Sequence, residues 1–241
     1  MGYLTTYSSL IGTATGTSSP TGVHDVDANL IYRGYLWNFF TSAAPAGIST
    51  FASGIGTYSY SWSATYGLQT AGDANTNFVY TVQPTDSFTG NYLIQSSFLY
   101  GGSPADNCPD PAIAVWPVAN GRTSPIWNWG ASATRISVQN NCASSLQIYG
   151  YTTTQTSGAF TYSAGSWYTM HFYHEPTLSR CRYAMTFGQN DWTRSGTQIA
   201  TELTSTESIS TAYYVGLASD ADGYTLGATS CNFSGLRITP L

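Results

Sequence analysis

Short segments in which apolar and polar side chains alternate dominate this sequence from about residue 55 onward, and they constrain the fold more than any other feature. Clusters of Gly, Asn, Asp and Ser separate one segment from the next. A period of two is typical of a β-strand with one buried face. The clearest examples lie at 77–83, 91–101, 166–175, 180–188 and 212–219. Many short strands at regular spacing predict an all-β sandwich or barrel.

The composition agrees with an all-β fold and argues against several functions. Only 8% of the residues are charged, 15% are aromatic, and all seven basic residues are Arg. Ser, Thr, Asn and Gly supply most of the polarity, and Tyr is the commonest aromatic residue, which favours strands and turns over helices. The net charge is −5, so a nucleic-acid partner, which needs a concentrated cationic surface, is not expected. No apolar run approaches the roughly 20 residues of a membrane span.

Residues 1–50 differ from the remainder of the chain. Two linker-like stretches, at 13–22 and 41–47, flank a segment that contains the bulky "YLWNFF" (35–40). Two interpretations stay open: these aromatic side chains cover one face of the main domain, or the segment is an arm that docks on another protein. We predict an N-terminal arm or attachment segment at 1–50 and a β-sandwich at 51–241.

The cysteines are widely spaced, unlike the close pairs of zinc sites. They are Cys108, Cys142, Cys181 and Cys231. We expect one or two disulfides among these four candidates, and we favour Cys108–Cys142 because both residues flank turn-rich loops. The alternative is four isolated buried thiols that behave as small apolar groups.

The second half of the chain resembles the concanavalin A-like lectin and glucanase (laminin-G-like) sandwiches. "SWYTMHFYHEP" (166–176) is similar to a strand of that family that follows a polar loop, and "RYAMTFGQNDW" (182–192) is similar to its hairpin partner. "YYVGLASDADG" (213–223) resembles a strand and loop near the family's C-terminus, and "NFSGLRI" (232–238) resembles its closing strand. The resemblance implies a two-sheet antiparallel jelly-roll sandwich in which the first and last strands pair in one sheet.

The closing segment itself carries an inward-facing pattern. Phe233, Leu236 and Ile238 alternate, or bulge inward around Gly235. We therefore expect this segment to complete the last sheet and to pair near the start of the domain.

A shorter resemblance concerns the N-terminal part. "SSPTGVHDVDANLIYRGYLW" (18–37) is similar to short segments of tailed-bacteriophage structural proteins, although His24 stands where those segments carry an aromatic residue. The start of the chain also lacks the basic and apolar regions of a signal peptide. The expected location is therefore a virion, with secretion as the alternative, and the expected partners are other virion proteins or further copies of this chain.

The catalytic patterns of the resembled family are not found in the sequence. Glu175, Glu202 and Glu207 do not form its Glu-x-Asp-x-Glu strand, and no Arg-x-Glu-x-Arg strand exists. His171 and Tyr173 share one face of a predicted strand and could do acid–base work on a sugar, but such residues also line ordinary sheet faces. We expect a non-catalytic protein and keep an atypical polysaccharide hydrolase or lyase as an alternative.

A Ca²⁺ ion is the one cofactor that the sequence suggests. Asp220 and Asp222 lie in the turn-like "SDADGY" (219–224), and "GDANTN" (72–77) is a second acidic turn. Calcium prefers carboxylate and carbonyl oxygens from such loops. Ordinary turns have the same composition, so both interpretations stay open.

Two loops combine aromatic rings with polar groups, as carbohydrate-binding sites do. The first is "QNDWTR" (189–194) and the second is "WPVANGRTSPIWNWG" (116–130). Their candidate glycan-binding residues are Asn190, Asp191, Trp192 and Arg194 in the first loop, and Arg122, Trp127 and Trp129 in the second. Trp192 is the aromatic residue that we expect to be most exposed. The predicted function is a virion surface or tail-associated protein with a lectin-like domain that binds host-surface glycans, and a purely structural decoration protein is the alternative.

Overall fold

A computed structural model gives the architecture of this chain. It describes residues 23–26, 33–53, 58–72, 79–100, 110–122, 135–141, 145–163, 165–220 and 229–241.

The described residues form β-strands joined by turns and loops. In chain order the strands are β1 Val23–Val26, β2 Arg33–Asn38, β3 Ile48–Ser53, β4 Tyr58–Ser63, β5 Gly67–Gly72, β6 Val79–Pro84, β7 Tyr92–Tyr100, β8 Asp110–Pro117, β9 Ile136–Asn141, β10 Ser145–Tyr149, β11 Thr154–Thr156, β12 Ser166–Glu175, β13 Arg180–Phe187, β14 Leu203–Ser205, β15 Tyr213–Asp220 and β16 Thr229–Pro240. The helical pieces among the described residues are two short 3-10 turns, Val118–Asn120 and Pro176–Leu178. No helix in this part of the chain is long and apolar enough to cross a membrane.

The strands form two antiparallel sheets. Sheet A has the order β1-β2-β16-β7-β12-β13-β14, and β5 also pairs with β16 and carries β4 beyond it. Sheet B has the order β11-β10-β9-β8-β15-β6-β3. The prediction of an all-β, two-sheet antiparallel sandwich is confirmed.

The inner faces of the two sheets form one apolar core. In sheet A the core residues include Phe98 on β7 and Phe172 on β12, and in sheet B they include Val115 on β8 and Leu217 on β15. The residues between them along each strand point to the opposite side, because successive side chains of a strand alternate between faces. The side of each sheet that faces away from the core is called its outer face below.

The last strand, β16, lies inside sheet A. Its residues 229–233 pair with β5, its residues 235–238 pair with β2, and its opposite edge pairs with β7. The register with β7 shifts between Phe233 and Gly235. Phe233, Leu236 and Ile238 are each at most 1% exposed. The expectation that the final segment closes the sandwich, pairs with an early strand and bulges around Gly235 is confirmed.

Part of the segment assigned to the N-terminal arm belongs to the sandwich. β2 pairs with β16 over four residues, and Trp37 and Phe39 are buried in the core. Residues 33–39 therefore belong to the main domain, in agreement with the first of the two interpretations, because Trp37 and Phe39 of "YLWNFF" are buried there. Residues 1–22 lie outside the described residues, and an attachment arm formed by them stays a prediction.

Two of the four disulfide candidates are free thiols. Cys181 and Cys231 are buried and unpaired, so the expectation of a disulfide is wrong for both. Cys181 lies on β13 and Cys231 on β16, and β7 and β12 separate these strands. Three strand spacings amount to about 14 Å, whereas a disulfide needs Cα atoms within ~7 Å. Cys108 and Cys142 lie outside the described residues.

The turn into β5 provides a test of how closely β16 is packed. Gly67 has a φ of +77°, and a methyl group on it would overlap the Phe233 carbonyl oxygen of β16. Gly121 has a φ of +75°, and no atom lies within 4 Å of the place that a methyl group on it would occupy. We expect Gly121→Ala to lower the free energy of unfolding by roughly 1–2 kcal/mol through backbone strain alone. Gly67→Ala should lower it by roughly 3 kcal/mol or more because β16 must also move.

Urea unfolding of both variants measures the difference. Equal losses for Gly67→Ala and Gly121→Ala would show that the contact with β16 contributes nothing beyond the turn conformation.

Candidate functional site

A layer of polar side chains covers the outer face of sheet A. Gln95 and Ser97 of β7, Thr169 and His171 of β12, and Thr186 of β13 alternate with core residues along their strands. All five are at most 1% exposed. They are covered by residues 188–202, the connection between β13 and β14, which folds back across the sheet and is called the capping loop below.

Hydrogen bonds fix the main chain of the capping loop to the sheet. The N–H of Asn190 donates to Ser97 Oγ (2.8 Å), and the N–H of Asp191 donates to Thr169 Oγ1 (3.1 Å). The next carbonyl along the loop, that of Trp192, accepts from Gln95 Nε2 at 3.1 Å. Three consecutive loop residues are therefore anchored to side chains that the strands hold in place.

A directed chain of hydrogen bonds runs beneath this anchor. Gln95 Nε2 lies 2.8 Å from His171 Nδ1. Because the amide nitrogen can only donate, Nδ1 accepts, and we assign the ring proton to Nε2. Nε2 then donates to Thr186 Oγ1 (2.9 Å), which donates to Asp191 Oδ2 (2.7 Å). The chain ends on a carboxylate of the capping loop, so it ties the loop to the sheet.

The carboxylate of Asp191 organises the capping loop. Besides Thr186, it accepts hydrogen bonds from the N–H groups of Ser195 and Gly196, each at 2.9 Å. Burial on its own would raise the pKa of Asp191, but the hydrogen bonds from Thr186, Gly196 and Ser195 outweigh burial and hold the pKa below its ordinary value. Asp191 thus positions the loop, and its oxygens are already used.

Arg194 is likewise held inside the protein surface. Its Nη1 lies 2.6 Å from Glu202 Oε2 and 3.3 Å from the Tyr173 hydroxyl, to which it donates. The guanidinium of Arg182 lies 4.2 Å from the centre of the Tyr173 ring and also pairs with Glu202 and Glu175. This network of ion pairs fixes the part of the capping loop that leads into β14. Arg194 therefore positions the loop.

Two candidate residues of the capping loop remain accessible. Asn190 is exposed and adopts a φ of +56°, a conformation that asparagine tolerates better than most residues. Its Oδ1 accepts from Ser234 Oγ of β16 at 2.5 Å. Trp192 is half-buried. The expectation that Trp192 is the most exposed aromatic residue is wrong: Tyr66 is 54% exposed and Tyr151 is 50% exposed.

Arg122, the described candidate of the second loop, lies on the other side of the sandwich. Its guanidinium lies 4.2 Å from the ring centre of Tyr214 on β15, on the outer face of sheet B. Nη1 donates to the Pro84 carbonyl at 2.8 Å and Nη2 donates to that of Thr85. Arg122 therefore pins its loop to the main chain, and the fold does not bring it together with Trp192. Trp127 and Trp129 lie outside the described residues.

Of the two calcium candidates, Asp220 lies within the described residues. Asp220 is the last residue of β15 and lies opposite Asp110 in the pairing with β8. Asp222 and the turn residues 73–77 lie outside the described residues. Within the described part of the chain, no group of three or more His, Cys, Asp or Glu residues is arranged to hold a metal ion.

The prediction that His171 and Tyr173 share one face of a strand is confirmed. The sequence does not single out their neighbours Gln95, Ser97 and Thr186, although each lies at an alternate position of a strong strand. Polar residues at these positions usually indicate a solvated face. Here burial under the capping loop turns them into an anchoring layer.

Similarity to known proteins is found in the fold alone. No family model matches the chain, and no curated protein matches it.

Solved structures of legume lectins share the architecture. Lectin II from Ulex europaeus superposes with a TM-score of 0.61 at 10% identity, covering 86% of this chain and 98% of that lectin. Peanut lectin with a nine-residue peptide gives 0.61 at 11% identity, covering 87% and 97%. Lectin I from Ulex europaeus, in complex with the methyl glycoside of α-L-fucose, gives 0.57 at 10% identity, covering 86% and 97%. The chain therefore has the concanavalin A-like, legume-lectin-like sandwich fold. The resemblance of 18–37 to tailed-bacteriophage proteins stays a prediction.

The buried histidines give the fold a defined pH dependence. Burial lowers the pKa of His171 and of His174 from 6.5 to about 4. Between these values the unfolded chain binds protons that the folded chain does not. The free energy of unfolding should therefore be fully retained above pH 6.5 and fall toward pH 4, by about 1.4 kcal/mol per pH unit for each histidine.

Replacing one histidine isolates its contribution to the pH dependence of the free energy of unfolding. We expect His171→Gln, which keeps a donor and an acceptor but does not titrate, to reduce the slope between pH 6 and 4.5 by about half. Urea unfolding at several pH values measures the slope. A slope that the substitution leaves unchanged would contradict the burial of an uncharged His171 beneath the capping loop.

Proposed function

We propose that this chain is a non-catalytic, lectin-like protein of a virion surface or tail that binds host-surface glycans. The observation that carries the proposal is the capping loop, which is anchored to the sheet at three consecutive residues and leaves Asn190 and Trp192 accessible. A loop held in one conformation before binding loses little entropy when a ligand arrives.

The chemistry of the two accessible residues suits a sugar. The indole of Trp192 offers an apolar ring face with a polar edge, and the amide of Asn190, whose Oδ1 accepts from Ser234, can donate from Nδ2. Asp191 and Arg194 support these residues from below, as side chains whose polar atoms are already engaged. The fold is also that of sugar-binding proteins, such as the Ulex europaeus lectin in complex with a fucose glycoside and lectin UEA-II complexed with galactose.

The acidic groups of the outer face favour binding over hydrolysis. A glycosidase needs a carboxylic acid with a raised pKa near a second carboxylate. Burial alone would raise the pKa of Glu175, but hydrogen bonds and charge from Arg182 and Arg180 outweigh it and lower the pKa. Glu202 is paired with Arg182 and Arg194. His171 has both ring nitrogens in hydrogen bonds and no exposed surface.

The virion location and the partners rest on the sequence. The segment 18–37 resembles tailed-bacteriophage structural proteins, and an N-terminal arm would attach the sandwich to other virion proteins or to further copies of the chain. In this setting the arm provides attachment and the capping loop provides recognition.

A glycan array with the purified chain tests the proposal. We expect binding to a subset of glycans without their cleavage. Trp192→Ala should abolish this binding and Asn190→Ala should weaken it, because the ring and the amide make the contacts. Tyr151→Ala removes a more exposed aromatic ring between β10 and β11 of sheet B and should leave binding unchanged.

Three outcomes would contradict the proposal. Binding that survives Trp192→Ala places the site elsewhere. New reducing ends in a bound polysaccharide indicate a hydrolase. A chain that binds no glycan but co-purifies with a particle indicates a decoration protein.

A further inference from the structure

A row of side chains crosses the outer face of sheet A beside the capping loop. Trp167 of β12 lies opposite Leu99 of β7, and Leu99 lies opposite Asn232 of β16. Asn232 lies opposite Gln69 of β5, which in turn lies opposite Ser61 of β4. Directly opposite residues of antiparallel strands project to the same side, so these five side chains share one surface, called the platform below.

The platform is accessible, whereas the neighbouring part of the same face is not. Ser61 is exposed and the other four residues are half-buried. Ser97 and Thr169, each two residues along the strand from a platform residue, are fully buried under the capping loop. With strands 4.7–4.9 Å apart, the platform extends over about 19 Å. It is therefore a strip wide enough for a ligand of several units.

The residues of the platform combine an aromatic end with an uncharged polar end. Phe40 lies beside Trp167, with ring centroids 6.2 Å apart and planes at 58°, and both rings are half-buried. Asn232 and Gln69 add amides and Ser61 adds a hydroxyl, all of which donate and accept hydrogen bonds. None of these side chains carries a charge, so an ionic ligand would find no counter-charge there.

The platform is continuous with the accessible part of the capping loop. The N–H of Gly188 donates to the Trp167 carbonyl at 2.9 Å, and the N–H of Asn190 donates to Ser97, two residues from Leu99. Two residues of a strand span about 7 Å. One extended ligand can thus contact Asn190 and the platform together.

From this placement we propose that the platform binds an extended, uncharged glycan, whose sugar units continue from Asn190 and Trp192 across Trp167 toward Gln69. The inference rests on the glycan binding proposed above and adds the chemical class of the ligand. Ring faces of the sugars stack on the aromatic end, and their hydroxyl groups exchange hydrogen bonds with the amides. The capping loop holds one end of the glycan, and the platform favours long glycans over short ones and uncharged glycans over charged ones.

Calorimetric titration with neutral oligosaccharides of increasing length tests the platform. The probes are gluco-, xylo- and manno-oligosaccharides from monosaccharide to hexasaccharide, in the series that wild-type protein binds. We expect affinity to rise with length in the wild type. Trp167→Ala should raise the Kd of the hexasaccharide about tenfold or more and leave that of the monosaccharide unchanged.

A substitution that adds a charge but keeps the size of the side chain gives a second readout, which does not depend on removing a large side chain. Gln69→Glu keeps the shape of the residue and places a negative charge in the path of the ligand, so it should weaken hexasaccharide binding severalfold. Gln155→Glu is the matched control, because Gln155 is exposed on β11 of the other sheet, and it should change nothing.

The outcomes separate the two proposals. If wild-type protein binds no glycan, the proposed function fails. Suppose that Trp192→Ala abolishes binding, while the affinities of Trp167→Ala and Gln69→Glu still rise with oligosaccharide length as in the wild type. The platform proposal alone is then overturned. A change of oligomeric state in Gln69→Glu without a change in glycan affinity would also overturn it, because the platform would then be a protein interface.

Discussion

The last strand holds sheet A together, because β16 pairs with β5, β2 and β7 at once. A break in register between Phe233 and Gly235 lets the strand change partners on one edge. Gly235 is required there, since a Cβ on it would lie 2.6 Å from the Trp37 carbonyl oxygen. At the same place Ser234 donates to Asn190 of the capping loop. The irregularity that closes the sandwich therefore also helps to position the loop on which recognition depends.

The capping loop is held by polar contacts where most folds use apolar packing. Burying polar groups is costly unless they are hydrogen-bonded. In the chain from Gln95 to Asp191, both ring nitrogens of His171 and the Thr186 hydroxyl have partners, whereas Gln95 Oε1 is buried without one. Such a network is directional, so it specifies one loop conformation more strictly than apolar contacts would. It also makes the loop sensitive to acid.

The sequence predicted the sandwich and its closing strand because period-two alternation is local and because Phe233, Leu236 and Ile238 are apolar. It did not predict the burial of Gln95 or Ser97, since a polar residue at an outward position looks the same whether water or a loop covers it. Nor could it show that Arg122 and Trp192 lie on opposite outer faces, which depends on long-range strand order. Trp37 falls in the predicted arm because the linker-like stretch 41–47 follows it directly, and the pairing of β2 with β16, which places Trp37 in the sandwich, joins segments far apart in the chain.

The central claim is that recognition takes place on the outer face of sheet A, at the capping loop and the platform. Hydrogen exchange followed by mass spectrometry, with and without a saturating neutral glycan, tests it most directly. We expect slower exchange in peptides covering 188–192 and 166–168, with no change around Arg122. Protection confined to the outer face of sheet B, or no protection at saturation, would contradict the claim.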